Sequence, residues 1–321
     1  VIVIRLFLFA FFSVLLGASL LNVLPMQHWL LELNRNFGSY YLVIHCILIP
    51  VGIWLSIHSA RVHEIWLLVS VNILLFIYYA FPLFPLLFHY SVPEGDLSCD
   101  RGETVLFLQV ESEAAVRESR ALIERFRPSI LFLVADAGQS HESAIELLAG
   151  YQFKEQALGP HGSSLHIASL HRLGPVLLSN LGEDLPGALM VELPGVRVPR
   201  AALGLVVGVD PLSDEGLERN IRTMRRSSAA LRSLELPALV AVSLRMTPHS
   251  KLYRVFKEDS LLRDLFSGKG LVRTWSGRSE LIRFHYDQLF VQGSVLHADV
   301  STIPLAEFDH VPILSALRFC R

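Results

Sequence analysis

Charge is the first thing this chain is short of. Only 18% of its 321 residues are Asp, Glu, Lys or Arg, against 52% hydrophobic ones, and one ordinary soluble globule is excluded at that ratio. The shortage is concentrated before about residue 92, beyond which the composition is that of a globular domain. A net charge of −2 supplies no general positive field for a polyanion, so nucleic acid is not an expected partner. The one basic cluster, Arg219, Arg222, Arg225 and Arg226, has helical spacing and reads as a solvated helix face before it reads as a phosphate or lipid-headgroup patch. There is no Gly-rich phosphate loop, no nucleophile elbow, no repeat and no low-complexity tract. No cysteine stands near His161, His166 and His171, whose five-residue spacing shares neither a helix face nor a strand face, so zinc is not expected there.

What is there in excess is apolar sequence at the start. Residues 1–24, 40–58 and 65–88 are each long enough to cross a hydrocarbon core at about 20 residues per crossing, and a membrane domain over 1–91 is expected. The first run exceeds the apolar core of a signal peptide, about 7–15 residues. Pro50, Pro82 and Pro85 kink or end these helices. His45, inside the second span, reads as hydrogen-bonded to a neighbouring helix before it reads as a cofactor ligand. Arg61 in the short loop and the acidic segment 92–100 place the N-terminus in the cytoplasm and the large domain outside, periplasmic if the membrane is a bacterial inner membrane. Cys99 and Cys320 bracket the large domain; a disulfide between them and two free thiols are equally open readings, the first needing neighbouring first and last strands.

After a linker over 92–102, strands are expected near 103–110, 129–134, 165–170, 176–178, 188–193, 204–209, 238–242, 280–285, 288–291 and 313–318. Helices are expected over 112–126, 140–148, 213–234 and about 250–256. Such alternation over more than two hundred residues predicts a sheet core flanked by helices.

Several short stretches in this order are informative together: Pro128-Ser129-Ile130-Leu131-Phe132-Leu133, Asp210-Pro211-Leu212 before Arg219-Asn220, Thr247-Pro248-His249-Ser250, Tyr286-Asp287-Gln288-Leu289-Phe290-Val291 and Phe308-Asp309-His310-Val311-Pro312. On them, residues 103–321 resemble the endonuclease/exonuclease/phosphatase superfamily, especially members with N-terminal membrane helices. The resemblance implies a four-layer α/β/β/α sandwich. It also implies Mg²⁺ held by carboxylates, an Asp general base and a His steadying the phosphoryl transition state.

Matched position by position, the family's first-strand Asn falls on Gln109, its metal-binding Glu on Ala135 and its strand-end His on Asp210. Gly-Asp-Phe-Asn falls on Val242-Ser243-Leu244-Arg245, and the Asp-His pair on Asp287-Gln288; Asp309-His310 is kept whole. Ala135 offers no ligand, Ser243 is a poor base and Arg245 puts a fixed cation where an amide stood. Asp309 and His310 are then expected to be a structural hydrogen-bonding pair.

The sequence expectation is accordingly a pseudoenzyme with no cofactor and no catalytic or metal-binding residue: a structural or interaction subunit of a larger membrane complex, respiratory or photosynthetic for example, touching lipids and other membrane subunits. A divergent Mg²⁺-dependent phosphodiesterase or phosphatase acting on a lipid headgroup or a nucleotide is the alternative. An anion- or lipid-binding module built on Arg245 is the third reading.

Overall fold

The computed structural model describes residues 13–24, 26, 28–57, 62–84, 102–138, 141–179, 187–195, 200–270, 272–275, 284–293 and 295–319. Residues 13–21 are helical, and α1 (Trp29–Asn36), α2 (Gly38–Ile57) and α3 (Val62–Ala80) follow. Helices α2 and α3 pack on one another. Their approach is close, since a Cβ on Gly52 would stand 2.6 Å from Val69 Cγ2. Several polar side chains in this part are turned inwards and paired: His45 bonds Asn72 Oδ1 at 2.8 Å and Ser19 Oγ at 3.1 Å. Apolar ones such as Val43, Ile47, Leu67 and Leu74 face outwards.

Among the described residues one helix, Ile65–Leu83, is long and apolar enough to cross a membrane; α1 and α2 pass the same test as a pair but are bent by 59° between them. Of the other expected spans, residues 1–12 and 85–88 lie outside the described residues.

The large domain consists of two six-stranded sheets, ordered β11-β12-β1-β2-β4-β3 and β5-β6-β7-β8-β10-β9. The first holds β1 (Glu103–Val110), β2 (Ile130–Ala135), β3 (Phe153–Leu158), β4 (Ser164–Ser169), β11 (Val295–Thr302) and β12 (Ile313–Phe319). The second holds β5 (Val176–Ser179), β6 (Ala188–Leu193), β7 (Ala201–Val207), β8 (Ala238–Ser243), β9 (Arg263–Asp264) and β10 (Asp287–Gln292). The centre of each sheet is one parallel pair, β1 with β2 and β7 with β8. An antiparallel strand flanks each pair, β12 beside β1 and β10 beside β8.

Phe107, Phe132, Leu165, Leu189, Leu203, Leu239 and Leu289 interdigitate between the sheets as the central core. Outside the first sheet lie α4 (Glu113–Phe126) and α5 (His141–Glu146); outside the second lie α6 (Asp214–Ser233) and α7 (Lys251–Asp259). Local chemistry starts these helices: Ser112 Oγ accepts from Ala115 N and Ser213 Oγ from Gly216 N, each satisfying an amide that the first turn leaves free. The result is the expected four-layer α/β/β/α sandwich.

Strands β3, β9 and β11 escape the sequence reading. Strand β3 lies at a sheet edge with alternating exposure, so its Lys154, Glu155 and Gln156 are tolerated. The expected strand over 280–285 falls mostly outside the described residues. Strands β1 and β12 are antiparallel neighbours, as a Cys99–Cys320 bridge requires, although both cysteines lie outside the described residues. Of the basic cluster on α6, Arg222, Arg225 and Arg226 are exposed and Arg219 pairs with Glu215, the solvated face that their spacing predicts.

Candidate active site

The two parallel pairs end side by side, and a cleft of about 350 Å³ opens at their C-terminal ends, with Glu111, Asp136, His161, Asp210, Ser243 and Arg245 in its lining. Side chains alternate along a strand, and this decides which residues face it. Gln109 and Glu111 share the cleft face of β1's end, and Val134 and Asp136 that of β2's end. Ala135 points the other way, into the apolar layer under α4 and α5. The sequence match at this strand is therefore corrected: Ala135 is no emptied ligand position, and the cleft-facing acid is Asp136.

On the other side, Gly208 N donates to Ser243 O at 2.8 Å. Asn220 clasps the chain beyond, accepting from Val209 N at 2.9 Å and donating to Val209 O at 2.8 Å. This turn aims Asp210 at Arg245, whose Nη1 lies 2.9 Å from Asp210 Oδ1. Arg245 itself has φ +52°, a left-handed conformation that costs a non-glycine residue about 1 kcal/mol or more and clusters at functional sites.

Behind the cleft wall runs a buried polar line. Asp287 and Ser243 are register partners on β10 and β8, and Ser243 Oγ donates to Asp287 Oδ1 at 2.6 Å. The other carboxylate oxygen, Oδ2, is 2.7 Å from His310 Nδ1, which fixes the ring so that Nε2 points forward. Nε2 is buried with no hydrogen-bond partner among the described residues and stands 3.6 Å from Oε1 of the cleft-lining Glu111. Backbone amides of Tyr286 and Asp287 both donate to Thr274 Oγ1, at 2.9 and 2.8 Å, holding the start of β10 in place.

Two expectations change here. Nδ1 of His310 is held by Asp287, twenty-three residues away, and not by its neighbour Asp309. Gln288 is not a vacated histidine position in the cleft: alternation turns it to the opposite face, where Nε2 donates to Met246 O at 3.0 Å and His285 O at 2.9 Å. Glu111 is a site residue that the sequence reading missed. Its signal was its place two residues beyond Gln109, on the same face of the strand.

The electrostatics mark the wall as acidic. Burial raises Glu111 to about 6, with Asp136 and Asp309 adding to the rise and His310 opposing it. Burial also raises Asp136, while His310, Arg245 and His161 counteract and Asp210 reinforces the shift. A carboxyl near 6 exchanges protons readily at neutral pH.

Among the described residues no group of three or more His, Cys, Asp or Glu side chains is arranged to hold a metal ion, and the Arg245–Asp210 pair puts a fixed cation into the cleft. The fixed Arg245 cation beside Asp210 departs from the Mg²⁺ site that the resemblance implies.

No protein-family model matches the sequence, and none of the curated proteins matches it. Solved structures do. An endonuclease/exonuclease/phosphatase from Beutenbergia cavernae matches with TM-score 0.54 and 19% identity over 68% of this chain and 72% of that one. This chain has the endonuclease/exonuclease/phosphatase fold. An AP endonuclease from Archaeoglobus fulgidus has the same fold, with TM-score 0.51 and 12% identity over 67% of this chain and 99% of its own. So does TDP2 from Caenorhabditis elegans, with TM-score 0.52 and 10% identity over 87% of this chain and 93% of its own.

The expectation of a non-catalytic structural subunit is corrected by these findings. Among the structures sharing the fold are proteins named as an AP endonuclease and as an endonuclease/exonuclease/phosphatase. The supposed loss of machinery rested partly on Ala135 and Gln288, which do not face the cleft, while the Asp287–His310 pair is intact.

Proposed function

We propose that the chain is a phosphoester hydrolase of the endonuclease/exonuclease/phosphatase type, attached to a membrane. The observation that carries this reading is the Ser243–Asp287–His310 line, which ends at Glu111 on the cleft wall. A buried carboxylate that holds a histidine by Nδ1 sets its tautomer and stabilises the imidazolium formed when Nε2 takes a proton.

In this reading Arg245 meets the non-bridging phosphate oxygens, as a planar guanidinium does well. Water attacks phosphorus, the bond to the leaving oxygen breaks, and the water's proton passes to the Glu111–His310 pair. The leaving oxygen takes a proton from solvent water in the cleft, and the Glu111–His310 pair returns its proton to solvent. Asp287 orients His310 and Ser243 orients Asp287.

Membrane attachment is supported by the outward-facing apolar side chains of α2 and α3 and by the apolar helix Ile65–Leu83. A phosphate-bearing lipid headgroup suits a cleft borne on such an anchor, and membrane lipids are the expected partners. From Arg61 and the acidic segment 92–100 the domain is taken to face outwards, periplasmic in a bacterial inner membrane. Protease added to sealed spheroplasts should clip the domain; protection until lysis would reverse that orientation.

The test of function is hydrolysis by the full chain in detergent or nanodiscs, with bis(4-nitrophenyl) phosphate, phospholipid vesicles and nucleotides, with and without Mg²⁺ or Mn²⁺. Turnover that falls by about 10²-fold or more in His310→Ala supports the proposal. No turnover of any phosphoester, or turnover that survives His310→Ala, removes it.

A further inference from the structure

The segment Arg245–Ser250, between β8 and α7, belongs to no strand or helix, so no ladder of backbone bonds fixes it. Its position depends on side chains, and those come largely from outside the α/β domain. Asn36, the last residue of α1, is 3% exposed. Its Oδ1 accepts from both Thr247 N and Thr247 Oγ1 at 3.2 Å, and its Nδ2 donates to Tyr286 OH at 3.3 Å. One amide side chain thus holds the loop two residues after Arg245 and the residue immediately before Asp287.

Neighbouring contacts strengthen this attachment. Ser250 Oγ donates to Glu32 Oε2 at 2.7 Å, and the other oxygen of Glu32 pairs with Arg35. The Arg35 guanidinium also reaches Leu24 O at 2.6 Å. Ser39 Oγ lies 3.2 Å from His249 Nε2. Gly38 lets the imidazole in, since a Cβ there would come within 2.3 Å of His249 Cγ. On the domain's own side, the brace is Gln288 Nε2 to Met246 O.

We propose that Asn36, at the corner between the helical anchor and the domain, is a positioning residue for phosphate: by holding Thr247 and Tyr286 together it places the Arg245 guanidinium over the cleft. This deepens the reading of the cleft as a phosphoester site and rests on it. A buried amide with every polar atom engaged is well suited to the task, because losing one partner strands a buried donor. The anchor is thereby part of the site's scaffold, and a shift of α1 against the domain reaches the Arg245 loop through Asn36 and Thr247.

The experiment measures inhibition by inorganic phosphate, kcat and KM for the full chain in nanodiscs, beside its melting temperature. Asn36→Leu should weaken phosphate inhibition and raise KM by roughly tenfold, with a much smaller change in kcat. Asn36→Asp, which keeps acceptors for Thr247, should restore most of the affinity. Arg245→Ala is the control and should weaken phosphate at least as much as Asn36→Leu. If Asn36→Leu fails to fold, Thr247→Val removes the partner hydroxyl and should move KM in the same direction by a smaller factor. Unchanged phosphate inhibition in the folded Asn36 or Thr247 variant, with Arg245→Ala still weakened, overturns the positioning role alone. Unchanged inhibition in Arg245→Ala overturns both that role and the phosphate contact assigned to Arg245.

Discussion

Asp287 holds His310 at 2.7 Å from a strand in the opposite sheet, so the pair bridges the two halves of the sandwich at the point where they meet over the cleft. Both residues are 2% exposed. Replacing Asp287 with Asn keeps the shape but offers His310 an amide, and the wrong tautomer becomes available. Turnover of bis(4-nitrophenyl) phosphate should drop by about 10²–10⁴-fold, with KM little changed. Ser243→Ala removes only the hydroxyl that steadies Asp287 and should cost about 1 kcal/mol of stability and a smaller part of the rate.

Arg245 separates binding from stability. Its ion pair with Asp210 is partly solvated, with side chains 32% and 50% exposed, and such pairs contribute about 0–1 kcal/mol. Arg245→Ala should therefore leave the melting temperature nearly unchanged while phosphate inhibition weakens. At φ +52° glycine is at ease, so Arg245→Gly should be at least as stable as Arg245→Ala in thermal unfolding, and equally poor in binding phosphate.

Glu111 should give the fold a pH dependence of known sign. Its carboxyl is raised from 4.5 to about 6 in the folded chain, so the fold disfavours the charged form. Its contribution to stability is therefore fully present below about pH 4.5 and is lost as pH rises through about 6. The loss should be less than about 2 kcal/mol, because solvent reaches part of the side chain. Glu111→Gln should flatten the melting temperature between pH 4.5 and 7.5 relative to the parent chain; an unchanged slope would assign the dependence to other groups.

Gly208 should not accept a side chain. A Cβ there would lie 2.5 Å from Asn220 Oδ1 and 2.9 Å from Leu244 Cδ2. Asn220 is 0% exposed and already bonded to Val209 on both sides, so it has no free direction in which to yield. Gly208→Ala should cost about 1–3 kcal/mol in unfolding experiments and weaken phosphate inhibition, because the same turn aims Asp210 at Arg245.

The layers of the fold were readable wherever burial is uniform. Ile130–Ala135 and residues 238–242 are apolar throughout because the strands are covered on both faces, and Ser112 and Ser213 mark helix starts by satisfying local amides. Edge strand β3 was not readable, since half of it faces water and its composition resembles a loop. In the site, matching by position misjudged Ala135 and Gln288 and passed over Glu111, because one residue along a strand reverses the face on which a side chain stands.

The sequence by itself determined the apolar N-terminal part, the alternation of strands and helices, and the order of motifs that carries the resemblance. Those depend on local composition and on neighbours close along the chain. Only the tertiary structure decided that His310 answers to Asp287 and not to Asp309, that Asp136 faces the cleft where Ala135 cannot, and that Asn36 reaches Thr247 and Tyr286 across more than two hundred residues. Hydrogen bonds between residues so distant in the chain leave no period or spacing in the sequence; they exist once the sheets have closed on one another and the helical corner has docked at their edge.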